Sequence, residues 1–138
     1  MKSAFYASLL VALMLAVIVM NAVYIHNTAD KFLNLTYALP TDEDSADFAD
    51  PIKAEGVKAK INELLYLWEK NEALASVSIQ YRDIEKIRNS MDSVREYFFC
   101  GEYGQYLDAR KRLLTSLERL KQNELPNFEN ILKVFPGI

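Results

Sequence analysis

The stretch IEKIRNSMDSVREYF, residues 84–98, decides the fold of this chain. Its apolar side chains recur at alternating steps of three and four residues, which is the period of one face of an α-helix. A seam of this kind needs a partner helix for knobs-into-holes packing. The stretch therefore predicts a helix inside an antiparallel bundle. The seam residues are Ile84, Ile87, Met91, Val94 and Phe98.

An amphipathic helix is predicted upstream of this seam. Asp50-Pro51 is its start signal, because an N-cap acceptor is followed by proline at the first helical position. Lys70-Asn71 is the expected end, since asparagine suits helix termini, and the helix that carries the seam is expected to begin at Ala73. The residues 69–72, EKNE, would then form a solvent-facing corner. The predicted buried stripe consists of Val57, Ile61, Leu64, Leu65 and Trp68.

A third long helix is predicted downstream. Gly101 is placed to end the preceding helix in the left-handed conformation that a β-carbon disfavours. Leu125-Pro126 is expected to end the third helix, and the apolar tail NFENILKVFPGI, residues 127–138, is expected to cap the bundle. The inward face is predicted to consist of Tyr106, Ala109, Leu113, Leu117 and Leu120, with Leu114 beside them.

The N-terminal segment has the composition of a membrane span. Residues 4–25, AFYASLLVALMLAVIVMNAVYI, contain no charged residue, and as a helix they would be about 33 Å long, enough to cross a hydrocarbon core of about 30 Å. We interpret residues 1–26 as an uncleaved transmembrane signal-anchor. The alternatives are a cleaved secretory signal, which usually has a shorter apolar region and a small-residue cleavage site, and a buried helix of a soluble protein. The positive charge of Lys2 and of the amino terminus favours a cytoplasmic N-terminus and an extracytoplasmic C-terminal domain.

The remaining residues, 27–138, are interpreted as one helical bundle domain with an acidic loop at 41–50. Phe32, Leu35 and Leu39 have helical spacing and predict a juxtamembrane helix that ends at Pro40. This helix is expected to pack on the bundle, since its apolar stripe would otherwise face water. The predicted fold class is all-α: an N-terminal transmembrane helix followed by a small antiparallel bundle of three long helices and a juxtamembrane helix.

Most of the residue combinations that catalytic and metal sites use are missing from this sequence. His26 is the single histidine and Cys100 the single cysteine, so neither a histidine-activated nucleophile nor a metal cluster of usual spacing is indicated. We therefore predict no catalytic residue, no metal and no cofactor, and a protein that is not an enzyme. With a net charge of −3 and one basic cluster at residues 110–112, nucleic-acid binding is not expected either. The cluster is interpreted as a solvated helix face, with anionic lipid as the alternative partner.

The aromatic residues allow two hypotheses. Trp68, Tyr81, Tyr97 and Tyr106 are candidates for lining an interaction surface or a small-ligand pocket. The competing interpretation places them in the bundle core, with their hydroxyl groups reaching the surface. Helical spacing favours the core.

The motifs LLYLWEKNEAL, IQYRDIEKIRNSMDSVREYF and NFENIL, after an N-terminal span, resemble the bacterial family called domain of unknown function 4363. The resemblance implies a small membrane-anchored helical protein in which Trp68 is the family tryptophan and Glu129–Leu132 the closing motif. It implies no activity. We expect an extracytoplasmic interaction or structural module, held by a single membrane span, that docks to an envelope or membrane protein. The alternative is a sensor that binds a small apolar ligand in the aromatic core.

Overall fold

The computed structural model describes residues 2–41 and 48–134, with the backbone alone for residues 123–134. Four helices account for almost all of this part of the chain, and no strand occurs in it. They are α1 (Lys2–Tyr37), α2 (Pro51–Ser78), α3 (Tyr81–Phe99) and α4 (Tyr103–Val134). The all-α prediction is confirmed.

Helix α1 combines the predicted span and the predicted juxtamembrane helix in one element. No glycine or proline occurs between Lys2 and Leu39, so nothing in the sequence interrupts its backbone hydrogen bonds. At 1.5 Å per residue its 36 residues extend about 54 Å. The helix ends at Tyr37, just before Pro40, as predicted. It is long and apolar enough to cross a membrane, and its side chains are exposed from Lys2 to Met20.

The juxtamembrane part of α1 packs into the bundle, which confirms the expectation from its apolar stripe. Phe32 and Leu39 are buried and Leu35 is partly buried. The ring of Phe32 meets the indole of Trp68 edge to face, with 5.1 Å between ring centroids and 82° between ring planes. Such a pair stabilises the contact by about 0.5–1.5 kcal/mol beyond the burial of its area.

Helix α2 begins where the sequence predicts and ends later. The carboxylate of Asp50 accepts the Ile52 N–H at 3.0 Å, and Pro51 occupies the first turn. The predicted break at Lys70-Asn71 is wrong, because α2 continues to Ser78. The side chain of Asn71 does not cap a helix; its Oδ1 accepts a hydrogen bond from the Tyr24 hydroxyl at 2.8 Å. Residues 69–72 therefore lie within the helix and not at a corner.

The corner between α2 and α3 is formed by Ile79 and Gln80. Both residues have extended backbone angles, and the Ile79 N–H donates to the Ala75 carbonyl at 2.7 Å. Helix α3 therefore begins at Tyr81, eight positions later than the predicted start at Ala73. The seam itself is as predicted, since all five of its residues are buried.

The connection between α3 and α4 is a glycine-capped turn. Gly101 has a φ of +76°, the Gly101 N–H donates to the Phe98 carbonyl at 3.2 Å, and the Glu102 N–H donates to the Tyr97 carbonyl at 2.9 Å. This pair of hydrogen bonds defines the Schellman motif. The prediction that Gly101 ends the helix is confirmed.

Replacing Gly101 with alanine should destabilise the protein by about 1–2 kcal/mol, the usual cost of a left-handed conformation in a residue with a β-carbon. An added β-carbon would have no atom within 4 Å, so the effect reports on the backbone alone. Gly104→Ala is the matched control: it has equally open surroundings inside α4 and should stabilise by up to about 1 kcal/mol. Urea unfolding of both variants gives the comparison, and a neutral Gly101→Ala would contradict the assignment of the cap.

Helix α4 does not end at Leu125-Pro126 as predicted but continues to Val134. Proline removes one backbone donor, yet its fixed φ of about −65° is a helical value, so a helix can continue through it at a local cost.

The inward face of α4 is as predicted, because Tyr106, Ala109, Leu113, Leu117 and Leu120 are buried. Residues 135–138 and the side chains from residue 123 onward lie outside the described part, so the predicted capping by the tail stays a prediction.

The four helices form an up-down-up-down bundle in which each packs on two neighbours, in the order α1, α2, α3, α4 and back to α1. Helix α2 runs antiparallel to α1, since Phe32 contacts Trp68 whereas Asn21 accepts a hydrogen bond from Ser78. Helix α4 is also antiparallel to α1: Pro40 lies at Tyr106, and Asp30 lies at Lys121. The end of the bundle that contains Ser78 is therefore the one from which the apolar span emerges.

Candidate interaction surfaces

The structure places the four candidate aromatic residues in different environments. Trp68 is 2% exposed at the contact between α1 and α2, and Tyr106 is completely buried at the end of the bundle farthest from the span. Tyr97 is partly buried, and Tyr81 is 69% exposed at the start of α3. Trp68 and Tyr106 are thus core residues, and the four side chains do not surround one pocket.

Tyr106 belongs to an aromatic cluster at the end of the bundle away from the span. With Phe48, Phe98 and Tyr103 it forms ring pairs whose centroids are 4.5–5.8 Å apart. The Tyr106 hydroxyl donates to the Pro40 carbonyl at 2.9 Å, and the Tyr103 hydroxyl donates to the Phe48 carbonyl at 3.0 Å. The cluster therefore holds Pro40, just after α1, and Phe48, just before α2, against the end of the bundle. The role of Phe48 was not foreseen, because it lies in a stretch that is otherwise acidic.

A cleft of about 340 Å³ lies beside Trp68, between α2 and α3. Its charged lining includes Glu72 and Arg88, which form an ion pair. The Trp68 Nε1–H is buried and has no acceptor among the described residues. Three carboxylates and one guanidinium line the cleft beside its apolar residues, so its chemistry differs from that of the apolar pocket expected for an aromatic core. The full lining is Leu65, Trp68, Glu69, Glu72, Arg88, Met91 and Asp92.

A larger groove of about 880 Å³ runs between α3 and α4. Four of its side chains are cationic and one, Asp108, is a carboxylate; within the described part of the chain none of the five forms an ion pair. The groove therefore carries a formal charge of +3 on a chain whose net charge is −3. Its lining is Lys86, Asn89, Ser90, Asp108, Lys111, Arg112, Thr115, Ser116 and Arg119.

This groove divides the basic cluster at residues 110–112. Lys111 and Arg112 line the groove, whereas Arg110 points to the other side of α4 and reaches the Tyr37 carbonyl at 3.5 Å. A signal for the groove was present in the sequence: Asp108, Arg112, Thr115 and Arg119 follow the three-and-four spacing of a single helix face. The contribution of Lys86 comes from α3 and needs the tertiary structure.

Two polar contacts hold α1 against α4 beyond the apolar N-terminal part of α1. The Lys121 ammonium donates to Asp30 Oδ1 at 2.8 Å, and this hydrogen bond and charge keep the pKa of Asp30 below its ordinary value of 3.8. The Tyr37 hydroxyl donates to Glu118 Oε1 at 2.7 Å, which raises the pKa of Tyr37 above 10.0. Both contacts lie at the surface of the bundle and are accessible to solvent. They therefore contribute more to the relative orientation of the two helices than to the stability of the fold.

A pH dependence follows from the lowered pKa of Asp30. Ionised Asp30 stabilises the folded state above the pKa of the unfolded chain, and this contribution is lost as the pH falls through the lower folded-state pKa. The stability difference between wild type and Asp30→Asn should therefore be constant near neutral pH and shrink below about pH 4. Urea unfolding from about pH 6 to about pH 2 tests this. The control is the same Asp30→Asn comparison in a Lys121→Gln background, which removes the partner of this carboxylate and should show a much smaller convergence.

The described residues offer no group of three or more His, Cys, Asp or Glu side chains that could hold a metal ion. Cys100 is the C-cap residue of α3, and its side chain is exposed. It lies outside the seam, directly after Phe99, where the chain turns toward α4. The thiol is therefore accessible to reagents from solution.

A family model described as domain of unknown function (DUF4363) matches residues 19–131 of this chain. The match begins within the apolar part of α1 and includes α2, α3 and most of α4. No curated protein and no solved structure matches the chain.

Proposed function

Because the chain belongs to the DUF4363 family, whose description assigns no function, we propose its role from the geometry of the bundle. The protein is a membrane-anchored helical module that docks an acidic segment of a membrane or envelope protein in the groove between α3 and α4. It performs no catalysis in this role. The span in α1 keeps the module at the membrane, and the groove selects the partner.

The observation that supports this proposal most strongly is the charge of the groove. Lys86, Lys111, Arg112 and Arg119 face one open surface whose single carboxylate is Asp108. Like charges brought together in this way repel each other, and an acidic partner relieves the repulsion while it gains complementary contacts. The side chains of Ser90, Thr115 and Ser116, with Asn89, add hydrogen-bonding groups between the charges.

The height of the groove above the membrane favours a protein partner over lipid head groups. Asp30 lies at the level of Lys121, nine residues beyond Asn21, where the fully exposed part of α1 ends, and Pro40 lies at the level of Tyr106. At 1.5 Å per residue of α1, the groove spans heights of roughly 14–28 Å above Asn21. Charges are screened over about 8 Å at physiological salt, so most of the groove lies beyond the strong field of a head-group layer.

A site-specific crosslinking experiment tests the docking proposal in intact cells. A photo-crosslinking amino acid at Thr115, inside the groove, should give a discrete adduct, and the same residue at Lys60, exposed on α2, should not. The double variant Lys111→Glu/Arg112→Glu should abolish the adduct. The charge-matched control, Lys60→Glu/Lys70→Glu, should leave it intact. Equal adducts from both positions, or an adduct that survives reversal of the groove charges, would contradict the proposal.

The orientation that we propose places the bundle outside the cell, with the amino terminus in the cytoplasm. Because the thiol of Cys100 is exposed, the wild-type protein can be labelled with a maleimide without an added cysteine. We expect a membrane-impermeant maleimide to label the protein on intact cells to the same extent as after lysis, and Cys100→Ala to remain unlabelled. Labelling that appears only after lysis would reverse the orientation. Recovery of the labelled protein from the medium instead of the membrane would indicate a cleaved signal.

A second candidate function is the binding of a small molecule in the cleft beside Trp68. The observation that favours it is the buried indole N–H without an acceptor among the described residues, next to a cleft that Arg88 and Glu72 also line. This lining suits a polar ligand better than the apolar one first considered. Trp68 is the single tryptophan, so its fluorescence reports on this cleft alone. A saturable shift in emission with a small ligand, absent in Arg88→Ala, would support this function, and an unchanged emission across a ligand panel would count against it.

A further inference from the structure

The corner between α2 and α3 has an unusual composition for the end of a soluble bundle. Residues 73–81, ALASVSIQY, contain no charged side chain. On α2, α3 and the part of α4 whose side chains the structure describes, five large hydrophobic side chains are exposed, and three of them lie in this stretch. These are Leu74, Val77 and Tyr81, which are 65%, 86% and 69% exposed.

This corner lies at the level where α1 leaves the bundle. The Ser78 hydroxyl donates to Asn21 Oδ1, and the Tyr24 hydroxyl donates to Asn71 Oδ1. Residues 2–20 of α1, all exposed, form about 28 Å of helix, which matches a hydrocarbon core of about 30 Å. The boundary of that core therefore passes close to Asn21, and thus close to Ser78.

We infer that the α2–α3 corner is a second membrane contact, in which Leu74 and Val77 enter the lipid interface and Tyr81 sits among the head groups. Neither segment, residues 4–25 of α1 or residues 73–81, contains a charged side chain, and the hydrogen bond between Asn21 and Ser78 places the two side by side. The lipid that surrounds the span is therefore the occupant within reach. Tyrosine is enriched at this depth because its ring is apolar and its hydroxyl is polar. The inference rests on the proposed membrane anchoring of α1.

The contact is apolar in character. The charged residues that flank the corner, Glu72 and Arg82, are of opposite sign, and Glu72 is paired with Arg88. Attraction to anionic lipid therefore contributes little, and the contact should form on zwitterionic lipid and persist at high salt. With the span and the corner both at the interface, the bundle has two points of attachment and a defined tilt.

Fluorescence quenching by lipid tests this inference on the full chain, reconstituted in phosphatidylcholine vesicles that contain acyl-chain nitroxide lipids. In a Cys100→Ala background, an environment-sensitive fluorophore is placed at Val77→Cys. Ile52→Cys is the matched control, because Ile52 lies on the same helix, is also β-branched and is 84% exposed, but it is at the opposite end. Leu13→Cys, within the span, reports on membrane insertion itself.

We expect the labels at positions 13 and 77 to lose most of their emission and that at position 52 to keep it, with no change at high salt. If position 13 is quenched and position 77 behaves like position 52, the corner is not a lipid contact although the anchor stands. If position 13 is not quenched, the anchor fails, and this inference fails with it. A label at 77 that is shielded from aqueous quencher but not quenched by lipid would assign the corner to contact with a second copy of the chain and overturn the lipid assignment. If high salt removes the quenching at position 77, the contact between the corner and lipid is electrostatic, and the inference of an apolar contact is wrong.

Discussion

Replacing Trp68 with alanine is expected to lower the free energy of unfolding by about 3–5 kcal/mol, the usual loss for a large buried aromatic side chain. Trp68 is 2% exposed and contacts Phe32 of α1 edge to face, so its removal leaves a void and loosens α1 from α2. Domains of this size are stable by about 5–15 kcal/mol, so the loss is a large part of the total. Urea unfolding of the full chain in detergent, followed by far-ultraviolet circular dichroism, measures it.

Two variants separate the possible causes of this loss. Tyr66→Ala, two residues earlier on the same helix and 54% exposed, should change stability by no more than about 0.5 kcal/mol. Trp68→Phe should cost much less than alanine, because it fills most of the space and also removes a buried N–H donor that has no acceptor among the described residues. If phenylalanine is as damaging as alanine, the indole N–H has a partner that matters, and the small-molecule function gains support.

Replacing Tyr106 with alanine should be as damaging, with an expected loss of about 3–5 kcal/mol. This side chain is completely buried among Phe48, Phe98 and the backbone near Pro40. Its removal opens a cavity in the aromatic cluster and also leaves the Pro40 carbonyl without this hydrogen bond. The connection between α1 and α2 should then become more accessible to protease than in the wild type, and limited proteolysis measures this separately from global unfolding.

Tyr106→Phe isolates the hydrogen bond from the packing. It keeps the ring and removes the hydroxyl group that donates to the Pro40 carbonyl, so the expected cost is about 1–3 kcal/mol. Tyr66→Ala, at an exposed tyrosine, is again the control and should leave the unfolding free energy within about 0.5 kcal/mol of the wild type. Equal effects of Tyr106→Phe and Tyr106→Ala would show that packing of the ring contributes little, contrary to the structure.

The fold was predictable where the signal is local and periodic. The seam of α3 and the inward face of α4 are buried as their spacing requires, and the caps at Asp50 and Gly101 follow from the conformational preferences of single residues. These features depend on side chains within one or two helical turns of each other. They can therefore be read without knowledge of the tertiary structure.

The errors occurred where distant contacts decide the outcome. Asn71 is compatible with a helix end, but its amide is held by Tyr24, which lies 47 residues away in the chain. The end predicted at Pro126 is a different, local error: proline often terminates a helix, yet its fixed φ is compatible with one, and α4 continues through it. The surfaces were harder to predict, because the groove joins Lys86 on α3 to Arg112 and Arg119 on α4, and the position of the α2–α3 corner is defined by its level along α1. No local pattern specifies which residues share such a surface.

The unbroken course of α1 has a mechanical consequence. No glycine or proline separates its apolar part from the part that packs on the bundle, so the helix lacks the residues that usually permit a sharp bend. Phe32 and Ile25 hold it within the core, and a rotation or tilt of the bundle must therefore turn the exposed apolar part, residues 2–20, as well. Helix α1 is a continuous rod of roughly 54 Å that joins this apolar part to the bundle, so a displacement of one end is transmitted to the other.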